Sequence, residues 1–359
     1  MTYSRLSKQF ADLLKEKLRA QEFKSGQLLP GQRILAKQHH LSEKTVRRAL
    51  KMLETEALIA PESRRGFRVL GRANDPDRGF PFAFVISKPQ QEEVSWFVRR
   101  LSSELQAAAG RRGWSLLSIQ REGRTSGEVI AHLKAARACG VVVDSLDREL
   151  IDQIAGLGIP IVLGDAWCEG LAVDAVAQDG FSGAMLAAMH LSHRGCKRLG
   201  FIGPPLRGAH PQAIERLAGA VGGALRSGSV LPSDLCVEVP WHDFPAAVAR
   251  AHELLSRPDR PDGVIAPWTA MGVAVFKAAA ELGLTVGRDF ELVGWSPQED
   301  YEVEYAARFQ FGNVPPAVVW SMTELSEMCI LRLIQRHADP QLPASFTRIP
   351  MRMQTREAH

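Results

Sequence analysis

From residue 82 onward, short apolar runs recur with helical stretches between most of them, and this alternation constrains the fold more than any other feature. FAFVIS at 82–87, WSLLSI at 114–119, GVVVD at 140–144, IPIVLGD at 159–165, RLGFIG at 198–203, DGVIA at 262–266 and ELVGW at 291–295 read as strands. Helices are expected around 96–112 and 128–138. Such alternation builds parallel sheets with helices on both faces, and ligands collect at the carboxyl ends of the strands. With about 270 residues to place, two α/β lobes hinged around a cleft are more economical than one very large sheet.

The first 72 residues are of another kind. They carry sixteen Lys and Arg against seven Asp and Glu, a net +9, whereas the remainder nets −5 within a whole-chain total of +4. A basic module beside an acidic body suits a polyanionic partner. Leu6, Phe10, Leu13, Leu14 and Leu18 recur at helical spacing and predict an amphipathic helix. Pro30 and Gly31 open a second short helix with Ile34, Leu35 and Ala36, and His39, His40 and Leu41 make a turn. Ser42 is a good N-cap for a third helix, whose buried stripe is Val46, Ala49, Leu50 and Leu53. Two short helices and a tight turn make a helix-turn-helix. Ser42, Lys44, Thr45, Arg47 and Arg48 stand in the first turns of that third helix, where side chains reach base edges in a major groove. Beyond Leu58 and Ile59, APESRRGFRV reads as strand, turn and strand. Phe67 and Val69 pack inward, Arg68 points out, and Arg64, Arg65 and Gly66 form a basic tip able to reach a phosphate or a minor groove.

LLPGQRILAKQHHLSEKTVRRALKMLETEALI followed by RRGFRV resembles the GntR family of winged-helix repressors over roughly residues 4 to 70. The resemblance implies that Arg33, Lys44, Thr45, Arg47 and the wing around Gly66 contact DNA. Glu43 stands where the family often has an Arg that contacts DNA, and Arg64 replaces the first of two wing glycines. An acidic side chain there either accepts from cytosine N4 or caps the helix, the cap being favoured.

GRANDPDRGF at 71–80 reads as a linker. The chain thus divides into a winged helix-turn-helix at 1–72, a linker at 73–80 and an effector-binding, dimerising domain at 81–359. VAQDGFSGAMLAAMHLSHRGCKRLGFIGP at 176–204, ERLAGAVGGAL at 215–225 and GVIAPWTAMGVAVFKAAAELGLTVGRDFELVGW at 263–295 together resemble the LacI-type effector domain, which is similar to periplasmic sugar-binding proteins. A GntR-type reader on a LacI-type sensor is the arabinose-repressor arrangement. The resemblance implies crossings between lobes near Asp179, Gln310 and Pro340, with lobe one at about 82–178 and 312–339 and lobe two at about 179–311 and 340–355. It also implies that Arg216 reaches the ligand; a planar, permanently charged donor suits vicinal hydroxyls or a carboxylate. Where relatives have Asn-Asp this chain has Trp268 and Thr269, and where they have a ligand-binding Asp it has Ser296. Trp268 can stack on a sugar face, as can Trp96, Trp167 or Trp241. Asp144, Asp165 and Asp179 fall at or just past strand ends, where cleft residues belong, although Asp179 also suits a helix cap. The expected effector class is a sugar or sugar derivative.

The remaining features point away from other classes. No run approaches the ~18 apolar residues of a membrane helix, and the amino terminus lacks the apolar block of a secretory signal, so a cytoplasmic protein is expected. Cys139, Cys168, Cys196, Cys236 and Cys329 are widely spaced, with no C-x-x-C pair. His190 and His193 share a helix but lack a third ligand, so no metal is expected. No H-E-x-x-H, G-x-S-x-G or Walker A match occurs, and neither a catalytic residue nor a cofactor is expected. The expected function is a transcriptional repressor, not an enzyme, binding double-stranded operator DNA as a homodimer, with no membrane partner. A cofactor-dependent enzyme or a solute-binding protein fused to a DNA reader is the alternative.

Overall fold

The computed structural model describes residues 5–19, 22–23, 27–55, 58–62, 66–69, 80–87, 92–168, 170–206, 211–240, 243–309 and 314–355. The apolar runs after residue 80 assemble into two six-stranded sheets. In the first, β3 (Phe82–Ile86), β4 (Leu116–Gln120), β5 (Gly140–Val143), β6 (Ile161–Gly164), β7 (Asp174–Gln178) and β13 (Phe346–Ile349) lie in the order β13-β7-β6-β5-β3-β4, every pair parallel. Strands β3, β5, β6 and β7 are buried at every residue, which is why they read as unbroken apolar runs: both faces are covered. On one face lie α4 (Glu92–Arg111) and α11 (Met322–Ala338), whose Leu101, Leu105, Leu325, Ile330 and Leu333 pack with Phe82, Phe84, Val142 and Val162. The other face is covered by α5 (Ser126–Ala135) and α6 (Arg148–Ala155), through Val129, Leu133, Leu150 and Ile154.

The second lobe repeats the plan. Helices α7 (Gly180–His193), α8 (Pro211–Ser227), α9 (Phe244–Leu255) and α10 (Thr269–Glu281) surround β8 (Leu199–Gly203), β9 (Cys236–Glu238), β10 (Gly263–Ile265), β11 (Glu291–Pro297), β12 (Ala317–Trp320) and β14 (Arg352–Gln354). The strand order is β14-β12-β11-β10-β8-β9, with only β14 antiparallel to its neighbour. Helices α7 and α8 approach closely because Gly219 and Gly223 leave room: a Cβ on Gly219 would stand 2.1 Å from the Phe181 carbonyl oxygen.

Sheet membership moves two of the three expected crossings. The first falls at Asp179, between β7 and α7. Strand β12 remains with the second sheet, so the return comes at Ser321, where α11 begins, rather than near Gln310. Strand β13 joins the first sheet beside β7 and β14 the second, so the last crossing lies at Pro350 rather than near Pro340. Asp174 ties this terminal segment down. Its buried carboxylate accepts from Arg332 Nε at 2.8 Å, Arg336 Nη2 at 2.8 Å and the Ser345 amide at 2.8 Å.

The basic module folds as α1 (Arg5–Arg19), α2 (Gln32–Gln38), α3 (Glu43–Thr55) and the hairpin β1 (Ile59–Glu62) with β2 (Gly66–Val69). Phe10, Leu14, Leu18, Leu35, Val46, Leu50, Leu53, Ile59 and Val69 form its core. Leu28 adds a bridge to Arg68, so the preceding loop extends the wing.

Candidate nucleic-acid interface and inter-lobe cleft

Helix α3 starts where the sequence places it. The Ser42 hydroxyl accepts the Thr45 amide at 3.1 Å, satisfying one of the free donors at a helix start. With Val46, Ala49, Leu50 and Leu53 turned inward, Lys44 and Arg47 are exposed and Thr45 and Arg48 half-buried. Arg33 on α2 is 89% exposed and its Nε lies 3.5 Å from a Glu43 carboxylate oxygen. Glu43 opens α3, where a negative charge is favoured by the helix dipole, and there it also faces Arg33. Gly66 opens β2 at φ +109°, a conformation side chains disfavour. Arg64 and Arg65 lie outside the described residues. Arg68 lies on the strand face opposite the buried Val69, half-buried, and donates from Nε to Glu62 at 2.7 Å, because Ala60 and Arg68 are register partners and Glu62 follows on the same face.

The carboxyl ends of the two sheets face each other, and their polar side chains interlock. Asp165, just past β6, is buried with φ +53°. Its Oδ1 accepts from Gln178 Nε2 at the end of β7 and from Gln212 Nε2 of α8, both at 3.0 Å. Gln178 Oε1 accepts in turn from Trp295 Nε1 of β11 at 2.6 Å. Two chains of hydrogen bonds therefore cross from lobe one to lobe two. Gly183 makes this possible, since a Cβ there would stand 2.6 Å from Trp295 Cη2.

Arg216 lies at the centre of this group. It is 2% exposed, its guanidinium lies over the Trp268 ring at 4.2 Å and the Trp295 ring at 4.5 Å, and it donates to the Pro267 carbonyl. Its Nη2 reaches Gln212 Oε1 at 3.4 Å, and its Nε has no hydrogen-bond partner. Burial pushes its pKa down to about 10, opposed by the charges of Asp165 and Glu215. Thr269 donates to the Trp295 carbonyl at 2.7 Å, fixing the turn that carries Trp268.

The other sequence-derived candidates have these surroundings. Asp144 is buried at the end of β5 and accepts the Ser87 amide, tying it to the end of β3. Asp179 caps α7 through the Ser182 amide at 3.1 Å and lies 3.7 Å from Arg348. Ser296 is buried and donates to the Pro297 carbonyl of its own strand. Trp96 sits near the start of α4, edge-on to Phe97. Trp167 packs on Phe346 of β13, and the Arg348 guanidinium lies 6.0 Å from its ring. Trp241 lies outside the described residues. The residues that sequence reasoning missed are Gln178, Gln212 and Trp295; the WTA and VGW strings drew attention to Trp268 and Ser296 but left Trp295 as an ordinary strand residue. An apolar groove of about 280 Å³ opens outside the cleft, between α8 and the ends of β8 and β9, lined by residues such as Phe201, Pro204, Val221 and Val237.

Two stretches of the chain match known protein families. Residues 6–69 match the family described as bacterial regulatory proteins, gntR family, and residues 188–358 match a periplasmic binding protein-like domain. The HTH-type transcriptional repressor PurR of Escherichia coli is 32% identical over 140 residues, 38% of this chain and 40% of that protein. The same figures hold for PurR of Shigella boydii serotype 18. The aligned region thus spans only about 40% of these relatives' length. Among solved structures, a transcriptional regulator CelR-cellobiose complex superposes with a TM-score of 0.67 at 20% identity, over 92% of this chain and 100% of that one. A putative ribose operon repressor from Burkholderia thailandensis gives 0.63 at 18%, over 77% and 98%. A LacI family transcriptional regulator from Enterococcus faecium, with bound ribose, gives 0.61 at 18%, over 77% and 97%. At these identities the likeness is one of fold: a helix-turn-helix domain joined to a two-lobed α/β domain with parallel sheets. No described helix is long and apolar enough to cross a membrane.

Proposed function

We propose that this chain is a DNA-binding transcriptional repressor whose affinity for a double-stranded operator is set by a small effector in the inter-lobe cleft. The carrying observation is the exposed Lys44 and Arg47 face of α3, held on a basic module that matches the gntR model and joined to a body with the fold of LacI-family regulators. This pairing of reader and sensor is the arabinose-repressor arrangement. Lys44, Thr45, Arg47 and Arg48 enter the major groove, Arg33 and Ser42 flank it, and Arg64, Arg65 and Gly66 of the wing reach phosphate or minor groove. Two copies read a two-fold symmetric site as a homodimer in the cytoplasm.

Effector binding alters DNA affinity only through its different affinity for the open and closed arrangements of the lobes. Residues at the carboxyl ends of both sheets supply the contacts: Asp144 and Asp165 from lobe one, Arg216 and Trp268 from lobe two. Similar folds hold cellobiose and ribose, which supports a carbohydrate or carbohydrate derivative. The test is selection of duplexes from a random pool by the full chain, followed by titration of the enriched duplex with and without sugars. Enrichment of an inverted repeat, with affinity changed by a sugar, is the expected result. Failure to enrich any sequence overturns the reading.

A further inference from the structure

Among the described residues, the cleft holds a cation without a counter-charge. The Arg216 guanidinium is inside the protein, yet among the described residues no carboxylate lies within ion-pair distance of it, and its Nε has no partner. The two acidic groups whose charges act on it most are committed elsewhere. Glu215 holds Arg348, with Oε1 2.6 Å from Nη2 and Oε2 3.1 Å from Nη1. Asp165 accepts two glutamine amides. Ser296, buried in the strand beside Trp295, has no charge and turns its hydroxyl to its own strand's carbonyl. The two indoles offset part of the desolvation through their ring faces, as cation–π contacts do. A buried charge is ordinarily paired; among the described residues no carboxylate pairs with this one.

We infer that the effector carries an anionic group, a carboxylate or a phosphate, that pairs with Arg216 through Nε and the adjacent Nη2 edge, where Gln212 is held only at 3.4 Å. The inference rests on the cleft being the effector site. A guanidinium edge presents two parallel N–H donors, which match carboxylate or phosphate oxygens in a way a neutral hydroxyl pair cannot equal in charge. The anion displaces the Gln212 carbonyl oxygen from Nη2 and leaves the indole contacts in place.

The experiment is calorimetric titration of the full chain, with indole fluorescence as a second readout, using paired probes: D-galacturonate against D-galactose, and D-glucose 6-phosphate against D-glucose. One anionic member should bind at least tenfold more tightly than its neutral partner, and the arm that responds tells carboxylate from phosphate. Arg216→Gln should reduce that preference to about unity. Because a fully buried position is sensitive to substitution, Arg216→Lys serves as a second variant: it keeps the charge but loses the paired N–H donors, and should cut the preference for the anionic member by roughly threefold or more. Equal affinity for both members of each pair, or a preference that survives both variants, overturns the inference. Tight neutral-sugar binding that changes operator affinity would refute the anion alone and leave the proposed function standing. If neither kind binds and operator affinity is indifferent to all four probes, the effector reading fails and the inference with it.

Discussion

Replacing Trp295 by Phe tests whether the lobes are held together by the hydrogen bond from Trp295 Nε1 to Gln178 Oε1. At 2.6 Å, between residues 4% and 3% exposed, this bond joins β11 of one lobe to β7 of the other. Phenylalanine keeps an aromatic ring near Arg216 but removes the donor. Gln178 cannot recover by turning its amide, because its Nε2 is already given to Asp165. Leaving the buried acceptor unsatisfied costs about 1–3 kcal/mol. Shrinking indole to phenyl beside Gly183 opens roughly 40 Å³, adding about 1 kcal/mol. The expected loss is therefore ~2–4 kcal/mol in urea unfolding of the α/β body, followed by circular dichroism. A double-mutant cycle with Gln178→Leu isolates the bond, and its coupling should be about 1–3 kcal/mol, since only the pairwise contact is shared. Additivity within ~0.3 kcal/mol would show that the two residues are neighbours without a mutual bond, and the account of the cleft as latched would be wrong.

Three further outcomes follow from other parts of the molecule. Arg47→Ala, on an exposed face of α3, should weaken operator binding by roughly 1–3 kcal/mol in fluorescence anisotropy while leaving the melting temperature unchanged; unchanged affinity would remove α3 from the groove. Asp174→Ala leaves Arg332 and Arg336 facing each other without their shared carboxylate and should destabilise the body by about 3–5 kcal/mol, so a thermal midpoint within a degree of the parent would refute its anchoring role. Burial pushes the Glu299 carboxyl up, but the Ser321 hydroxyl and the Met322 and Thr323 amides at the start of α11 more than offset this and hold its pKa below the ordinary 4.5. That stabilisation is fully present above 4.5 and is lost as pH falls through the lowered folded value, so Glu299→Gln should flatten the acid limb of a stability–pH curve, and an unaltered limb would count against it.

Much of this protein was legible before any coordinates. Helical spacing marked α1 and α3, Ser42 marked the start of the third helix, and buried strands announced themselves as apolar runs, because backbone periodicity and capping act over a few residues. Arg216 was singled out only through resemblance. Tertiary structure decided the rest. Strands β7, β9, β12, β13 and β14 are three to five residues long, and which sheet each joins depends on partners far along the chain. Glu43 takes its meaning from Arg33, ten positions earlier, and Asp174 from two arginines more than 150 residues later. The cleft shows the same limit most sharply. Gln178, Gln212 and Trp295 carry no local signal, since a hydrogen bond between buried polar groups is specified by where the fold brings their atoms, not by their neighbours in sequence. Hydrophobic periodicity is a property of a segment; that no described carboxylate pairs with Arg216 is a property of what is folded around it.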